Sequence, residues 1–173
     1  MTKKETEVFR KIYEMSGARH EKLSGIFKQN NFYYSANLHM FVRTFDKPDL
    51  PLIPEENQDS SFYKKIEETL EIAILKSTGM VNLPTKSELV AIRKNLTAYE
   101  KWDSPYLLTT SNGTKIGVNN RYLNLFLDLF GGKDCYCYAS NPLAPLYFVD
   151  EQKNIEGVLL PMRINNPDKI INQ

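Results

Sequence analysis

The 173-residue chain holds only two Cys and two His. Cys135 and Cys137 are too few for a disulfide framework or a four-Cys zinc site. His20 and His39 leave little for a metal centre or for histidine-based catalysis. The eight Gly are scattered, and the Gly131–Gly132 pair follows a helical pattern instead of opening one, so no phosphate-cradling loop is present. No apolar run approaches the roughly 18 residues of a spanning helix. The opening MTKKETEVFRK lacks the apolar stretch of a secretory signal, so the expectation is a cytoplasmic chain with no membrane partner. Twenty-two Lys and Arg against 21 Asp and Glu give a net charge of +1. That balance excludes a basic nucleic-acid arm, an acidic tail and a polycationic membrane binder. No Ser/His/Asp or Cys/His set has supporting context. The reading is a protein that is not an enzyme and has no cofactor and no metal.

What the chain does have is a globular composition, 42% apolar and 25% charged, at a length of one domain. Its charge is uneven. Residues 1–47 carry nine basic and five acidic side chains, 48–100 six and nine, and 101–173 seven of each. The first stretch opens with a helix capped by Thr2 or Thr6, with Val8, Ile12 and Met15 at helical spacing and Gly17 as its stop. Short strand-like runs follow at Leu23–Lys28, Asn31–Ala36 and Met40–Phe45, with Asn30–Asn31 as a turn. Three prolines (48, 51 and 54) mark a linker. Two helical patterns follow at 61–76 and 84–96, the second with a Thr85/Glu88 capping box. Residues 58–97 therefore read as a helical insertion or small subdomain. Residues 105–118 form two runs joined at Asn112–Gly113, a strong hairpin signal. A helix, 119–130, is apolar nearly all round, and three more strand-like runs follow at Asp134–Ala139, Pro145–Val149 and Gly157–Ile164. Cys135 and Cys137, two apart on a strand, read as packing on one face.

The order is helix and three strands (1–47), linker and helices (48–100), then strands, helix and three strands (101–173). Residues 109–164, with the ordered string IGVNNRYL, GGKD, SNPLAPLYF and LLPMRI, resemble the C-terminal part of the bacterial DNA polymerase III β subunit, the sliding clamp. A weaker likeness lies in HEKLSGIFKQNNFYYSANLHMFVRTF (20–45). Together they span roughly half of the chain. The resemblance implies an α+β fold, one DNA-clamp-like domain of two βαβββ units with a helical insertion. A clamp subunit of that family carries three such domains, and six close a ring around DNA.

The resemblance also implies sites. The two helices would face double-stranded DNA, held topologically and without sequence reading, through Lys3, Lys4, Arg10, Lys11, Arg121 and Asn124. The plainer reading makes these solvated helix residues diluted by Glu5, Glu7, Glu14 and Asp128. A partner groove for linear peptide motifs of replication or repair proteins would use His39, Met40, Phe41, Pro161, Met162 and Arg163, and would need a neighbouring subunit. The plainer reading makes Phe41, Leu160 and Ile164 core. Two functions stay open at this point. One is a divergent sliding-clamp-like processivity accessory or docking module, as a homo-oligomer if it closes a ring. The other is a clamp-fold regulatory module that no longer encircles DNA and presents Phe62, Ile66 and Leu70 of its insertion to a partner.

Overall fold

The computed structural model describes residues 1–15, 25–130, 135–152 and 154–172. The expectations for Gly17, His20, Leu23 and Gly131–Gly132 lie outside them.

The first helix, α1 (Lys3–Glu14), begins at Thr2. The Thr2 hydroxyl accepts from the Glu5 amide, and the Glu5 carboxylate accepts from the Thr2 amide. Strands β1 (Phe27–Gln29), β2 (Phe32–Ala36) and β3 (Met40–Thr44) follow as an antiparallel meander. Asn30 and Asn31 both have positive φ, 49° and 68°, the left-handed pair that a two-residue hairpin needs and that Asn tolerates.

Beyond the prolines comes α2 (Ser60–Leu75), capped by Asp59. The next segment differs from the expectation of linker and helices alone. Residues Gly79–Asn82 form a strand, β4, before α3 (Lys86–Lys94) and a further helix, α4 (Ala98–Asp103). The hairpin β5 (Pro105–Thr110) and β6 (Lys115–Asn119), helix α5 (Asn120–Leu129), and strands β7 (Cys135–Ala139), β8 (Leu146–Asp150) and β9 (Ile155–Leu159) complete the order.

The strands make one nine-stranded sheet, in the order β1-β2-β3-β9-β8-β7-β4-β5-β6, with every pairing antiparallel. The two halves join where β3 pairs with β9, Val42 opposite Gly157. β4 is no appendage, since it bridges β7 to β5. The expected strand 157–164 stops at Leu159. Residues 160–172 turn away, and the Met162 amide donates to the Gly117 carbonyl on β6. Asn172 then brackets Leu107 of β5 with two hydrogen bonds. The tail thus satisfies backbone groups of β5 and β6 that no strand pairs.

Side-chain alternation splits the core between two faces of the sheet. Met40, Val42, Leu146, Phe148, Ile155 and Leu159 pack on one side with α1, α5 and Leu89 of α3. Phe41, Tyr147, Val149 and Val158 pack on the other with Tyr63, Ile66, Leu70 and Ala73 of α2. Burial of both faces explains why β8 and β9 are buried at every position. It also corrects one expectation. Ile66 and Leu70 are 5% and 2% exposed, so most of the α2 stripe lies on the domain's own sheet. Only Phe62 at its edge stays half-buried.

Arg43 ties β3 to β9 on that face and reaches α2 through Tyr34. Its guanidinium holds Glu156 through Nε and Nη2 at 2.7 and 2.6 Å, and its Nη1 donates to the Tyr34 hydroxyl at 3.3 Å. Tyr34 in turn donates to Glu67 of α2, and Tyr147 donates to Glu156. Burial is the main cause that raises the Tyr34 and Tyr147 phenol pKa values above the ordinary range, and their carboxylate partners add to it. Both hydroxyls therefore stay protonated as donors.

Candidate nucleic-acid face and docking groove

Helices α1, α3, α4 and α5 share one face of the sheet. α5 lies between α1 and the α3–α4 pair. Asn120, at its start, donates to the carbonyls of Glu100 and Ser104 at 2.9 and 2.6 Å and so locks α4 beside it. The expected helix apolar all round is explained: Leu123, Leu125, Phe126 and Leu129 are buried on several sides.

The six DNA-facing candidates all lie on this face, but their charges are not equally free. Lys3 and Lys11 are exposed. Arg10 is held by Glu7 and Glu14 at 2.6 and 2.7 Å, and Lys11 reaches Glu7 only at 3.7 Å. Lys4 lies 3.4 Å from Asp128, which also takes Lys86 of α3 at 2.8 Å. Asn124 accepts from Lys86 at 2.5 Å, so it is turned toward α3. Arg121 has no carboxylate partner among the described residues. Its guanidinium instead stacks 3.4 Å above the Trp102 ring.

Arg93 and Trp102 escaped the sequence reading. The signal was present: Thr97 and Glu100 repeat the capping-box spacing of Thr85 and Glu88, which marks α4 and so places Trp102 on a helix. Arg93 could be found only from the fold, because α3 brings it to Arg121 across 28 positions of sequence.

Of the six groove candidates, Met40 and Phe41 line one cavity, where the two segments meet within one chain. The Leu160 amide donates to the His39 carbonyl at 2.9 Å, and Met40 pairs with Leu159. No neighbouring subunit is needed to bring these two segments together. A cavity of about 230 Å³ opens beside them, lined by Leu38, Met40, Phe41 and Leu160 and walled by Phe62 and Lys65 of α2. Met40 and Phe41 are 2% and 5% exposed, so they form its floor. Leu38 and Leu160, at 51% and 38%, form its rim. The other named groove residues lie elsewhere. The His39 ring stacks on Tyr122 of α5 at 5.5 Å. Pro161, Met162 and Arg163 do not line the cavity, and Met162 is bound along β6.

Cys137 is fully buried and Cys135 partly so; both are free thiols. Burial pushes the Cys135 thiol up to about 12 and Cys137 well above its ordinary value. The pair is packing, not a reactive centre. Among the described residues no group of three His, Cys, Asp or Glu could hold a metal, and no helix is long and apolar enough to cross a membrane.

Solved structures share this fold. A putative DNA polymerase III β subunit from Eubacterium rectale superposes with a TM-score of 0.62 at 16% identity, covering 94% of this chain and 64% of its own. The fold is that of the bacterial sliding clamp. The clamp of Bartonella birtlesii, solved bound to griselimycin, matches at a TM-score of 0.63 and 12% identity over 91% of this chain and 64% of that one. The β subunit of Borrelia burgdorferi, solved with a natural product, matches at 0.61 and 9% over 94% and 62%. The chain thus spans a little under two thirds of the length of these clamps. It matches no protein-family model, and no curated protein matches it in sequence.

Proposed function

We propose that this chain is a clamp-fold docking module of DNA replication or repair that contacts nucleic acid through its helix face and works without catalysis. The observation that carries the reading is the clamp architecture over more than nine tenths of the chain, with α1 and α5 on one face and exposed cations there. The apolar groove between α2 and the ends of β3 and β9 takes a linear peptide. Its Met40 and Phe41 floor suits an apolar anchor side chain, and Lys65 on its wall favours an acidic neighbour. Ring closure is not built into the single domain. The β6 edge is engaged by the chain's own Met162, and Ile26, just before edge strand β1, is bridged by Leu52. These contacts support a module that acts as one copy docked beside other proteins. The reading that gives the stripe of α2 to a partner is not favoured, because that stripe is occupied by the sheet.

Duplex binding tests the reading. With about three phosphates neutralised, log K should fall against log salt with a slope of about −3. Charge reversal of Lys3 and Lys11 together should flatten that slope. No binding even at low salt, or a slope unchanged by the reversal, would remove the helix face from the account.

A further inference from the structure

Where α1, α3, α4 and α5 converge, a cavity of about 540 Å³ is lined by Lys11, Arg93, Trp102, Arg121 and Asn124, with Glu14 as its acidic residue. That volume falls in the range of small-ligand sites. Glu14 is already engaged by Arg10 at 2.7 Å. The two arginines are different. Neither has a carboxylate partner among the described residues; Arg93 is anchored by a donated bond to the Lys101 carbonyl at 3.1 Å, and Arg121 lies on Trp102. Burial lowers the pKa of both guanidiniums from the usual arginine value, and the Arg93 charge adds to the effect at Arg121. Two like charges side by side, partly desolvated and unpaired, favour an anion between them. Trp102 is 60% exposed, and Arg121 covers one face of its ring. The other face is available to a second flat group.

We infer that this cavity binds a nucleotide unit, its phosphate held by Arg93 and Arg121 with Lys11 at the rim, and its unpaired base stacked on the free face of Trp102. Such a site selects single-stranded nucleic acid or a free nucleotide over duplex, because a paired base cannot leave its stack to lie on an indole at no cost. The site deepens the helix-face reading at one place. It needs neither a ring nor an oligomer, and α3 and α4 bring Arg93 and Trp102 to the residues of α1 and α5.

The chain's single Trp makes the test direct. The intact protein is titrated with an oligothymidylate of about eight nucleotides, with thymidine monophosphate, and with a blunt duplex of the same length, while Trp102 emission is followed. The oligonucleotide should quench it in a saturable, salt-sensitive way, and the duplex should not. Arg93→Gln should weaken binding about tenfold or more. Lys11→Glu, an exposed position that leaves the fold intact, should weaken it severalfold. With a labelled oligonucleotide followed by anisotropy, Trp102→Ala should cost about five- to a hundredfold, the range of one base stacked on an aromatic ring. Equal affinity for the monophosphate supports the site and assigns it to a free nucleotide. Equal quenching by duplex overturns the unpaired-base site while leaving the helix-face reading standing. No quenching by either single-stranded probe overturns the site. Binding that survives both Lys11→Glu and Arg93→Gln, with the variants folded by circular dichroism, overturns it as well.

Discussion

Replacing Arg43 by Met should be among the most damaging single changes in this protein. Its side chain is 14% exposed and that of Glu156 is 10%. The two share a two-pronged ion pair at 2.6 and 2.7 Å, with the guanidinium 4.0 Å over the Phe32 ring. Met fills much of the same volume but leaves Glu156 with the Tyr147 hydroxyl as its remaining hydrogen-bond donor. Breaking a buried pair from one side costs about 3–5 kcal/mol, since the surviving charge stays desolvated. For a domain of this size that is a fall in Tm of roughly 6–20 °C. Glu67 of α2 is 25% exposed and 3.9 Å from Arg43, so it adds less. Urea denaturation of Arg43→Met, Glu156→Gln and the double variant gives the pairwise term. The double variant should lose clearly less than the sum of the singles, by about 1–3 kcal/mol. A loss under about 1 kcal/mol for Arg43→Met, or strict additivity, would refute the reasoning. It would mean that the Arg43–Glu156 pair adds little to the β3–β9 seam.

Three further outcomes follow from the packing. Gly157→Ala should destabilise by about 1–3 kcal/mol in chemical denaturation, because a Cβ there would sit 2.6 Å from Phe126 Cε1 of α5 and 3.0 Å from Val42 Cγ1; Phe126→Leu should recover part of the loss. Cys135 and Cys137 should resist a maleimide at pH 8 in the native protein and react fully in urea. Their raised pKa values mean that the folded state keeps both protons after the unfolded thiols have lost theirs. Their contribution to stability is therefore whole below about pH 8.5 and is lost as pH climbs toward about 12. Deleting 58–97 removes β4 from between β7 and β5, so the remainder should lose its cooperative thermal transition; a folded, soluble remainder would show that the sheet closes without it.

Much of the fold is legible because its signals are local. Asn30–Asn31 announces a tight turn, Thr2 or Thr6 and Thr85/Glu88 announce helix starts, with Thr2 the cap in the structure, and the periodicity of α2 and α5 survives into it. β4 was not legible. Four residues, Gly-Met-Val-Asn, carry little strand signal, and what makes them a strand is the pair of neighbours they lie between. The end of β9 is hidden from the sequence for a related reason. Residues 160–164 read as strand by composition, but the tail's partners are on β6 and β5, and such distant pairing leaves no local mark. The site was legible in its residue types and not in its company. The i,i+4 spacing of Arg10 and Glu14 is local and legible, whereas Lys4 and Asn124 look free along the chain until the fold sets Asp128 and Lys86 beside them. Arg93 and Trp102 draw their meaning from α3 and α4 folding against α5, which no spacing in the sequence encodes.

The helix face as the nucleic-acid face is the centre of the account, and lysine footprinting measures it most directly. Two sets of exposed lysines lie on opposite sides of the sheet: Lys3, Lys4 and Lys11 on α1, and Lys64, Lys65 and Lys76 on or at the end of α2. Amine labelling read by mass spectrometry, with and without a duplex at low salt, should show DNA shielding the first three and leaving the second three unchanged. Shielding of Lys64, Lys65 and Lys76 instead, or equal shielding of both sets, would contradict the account.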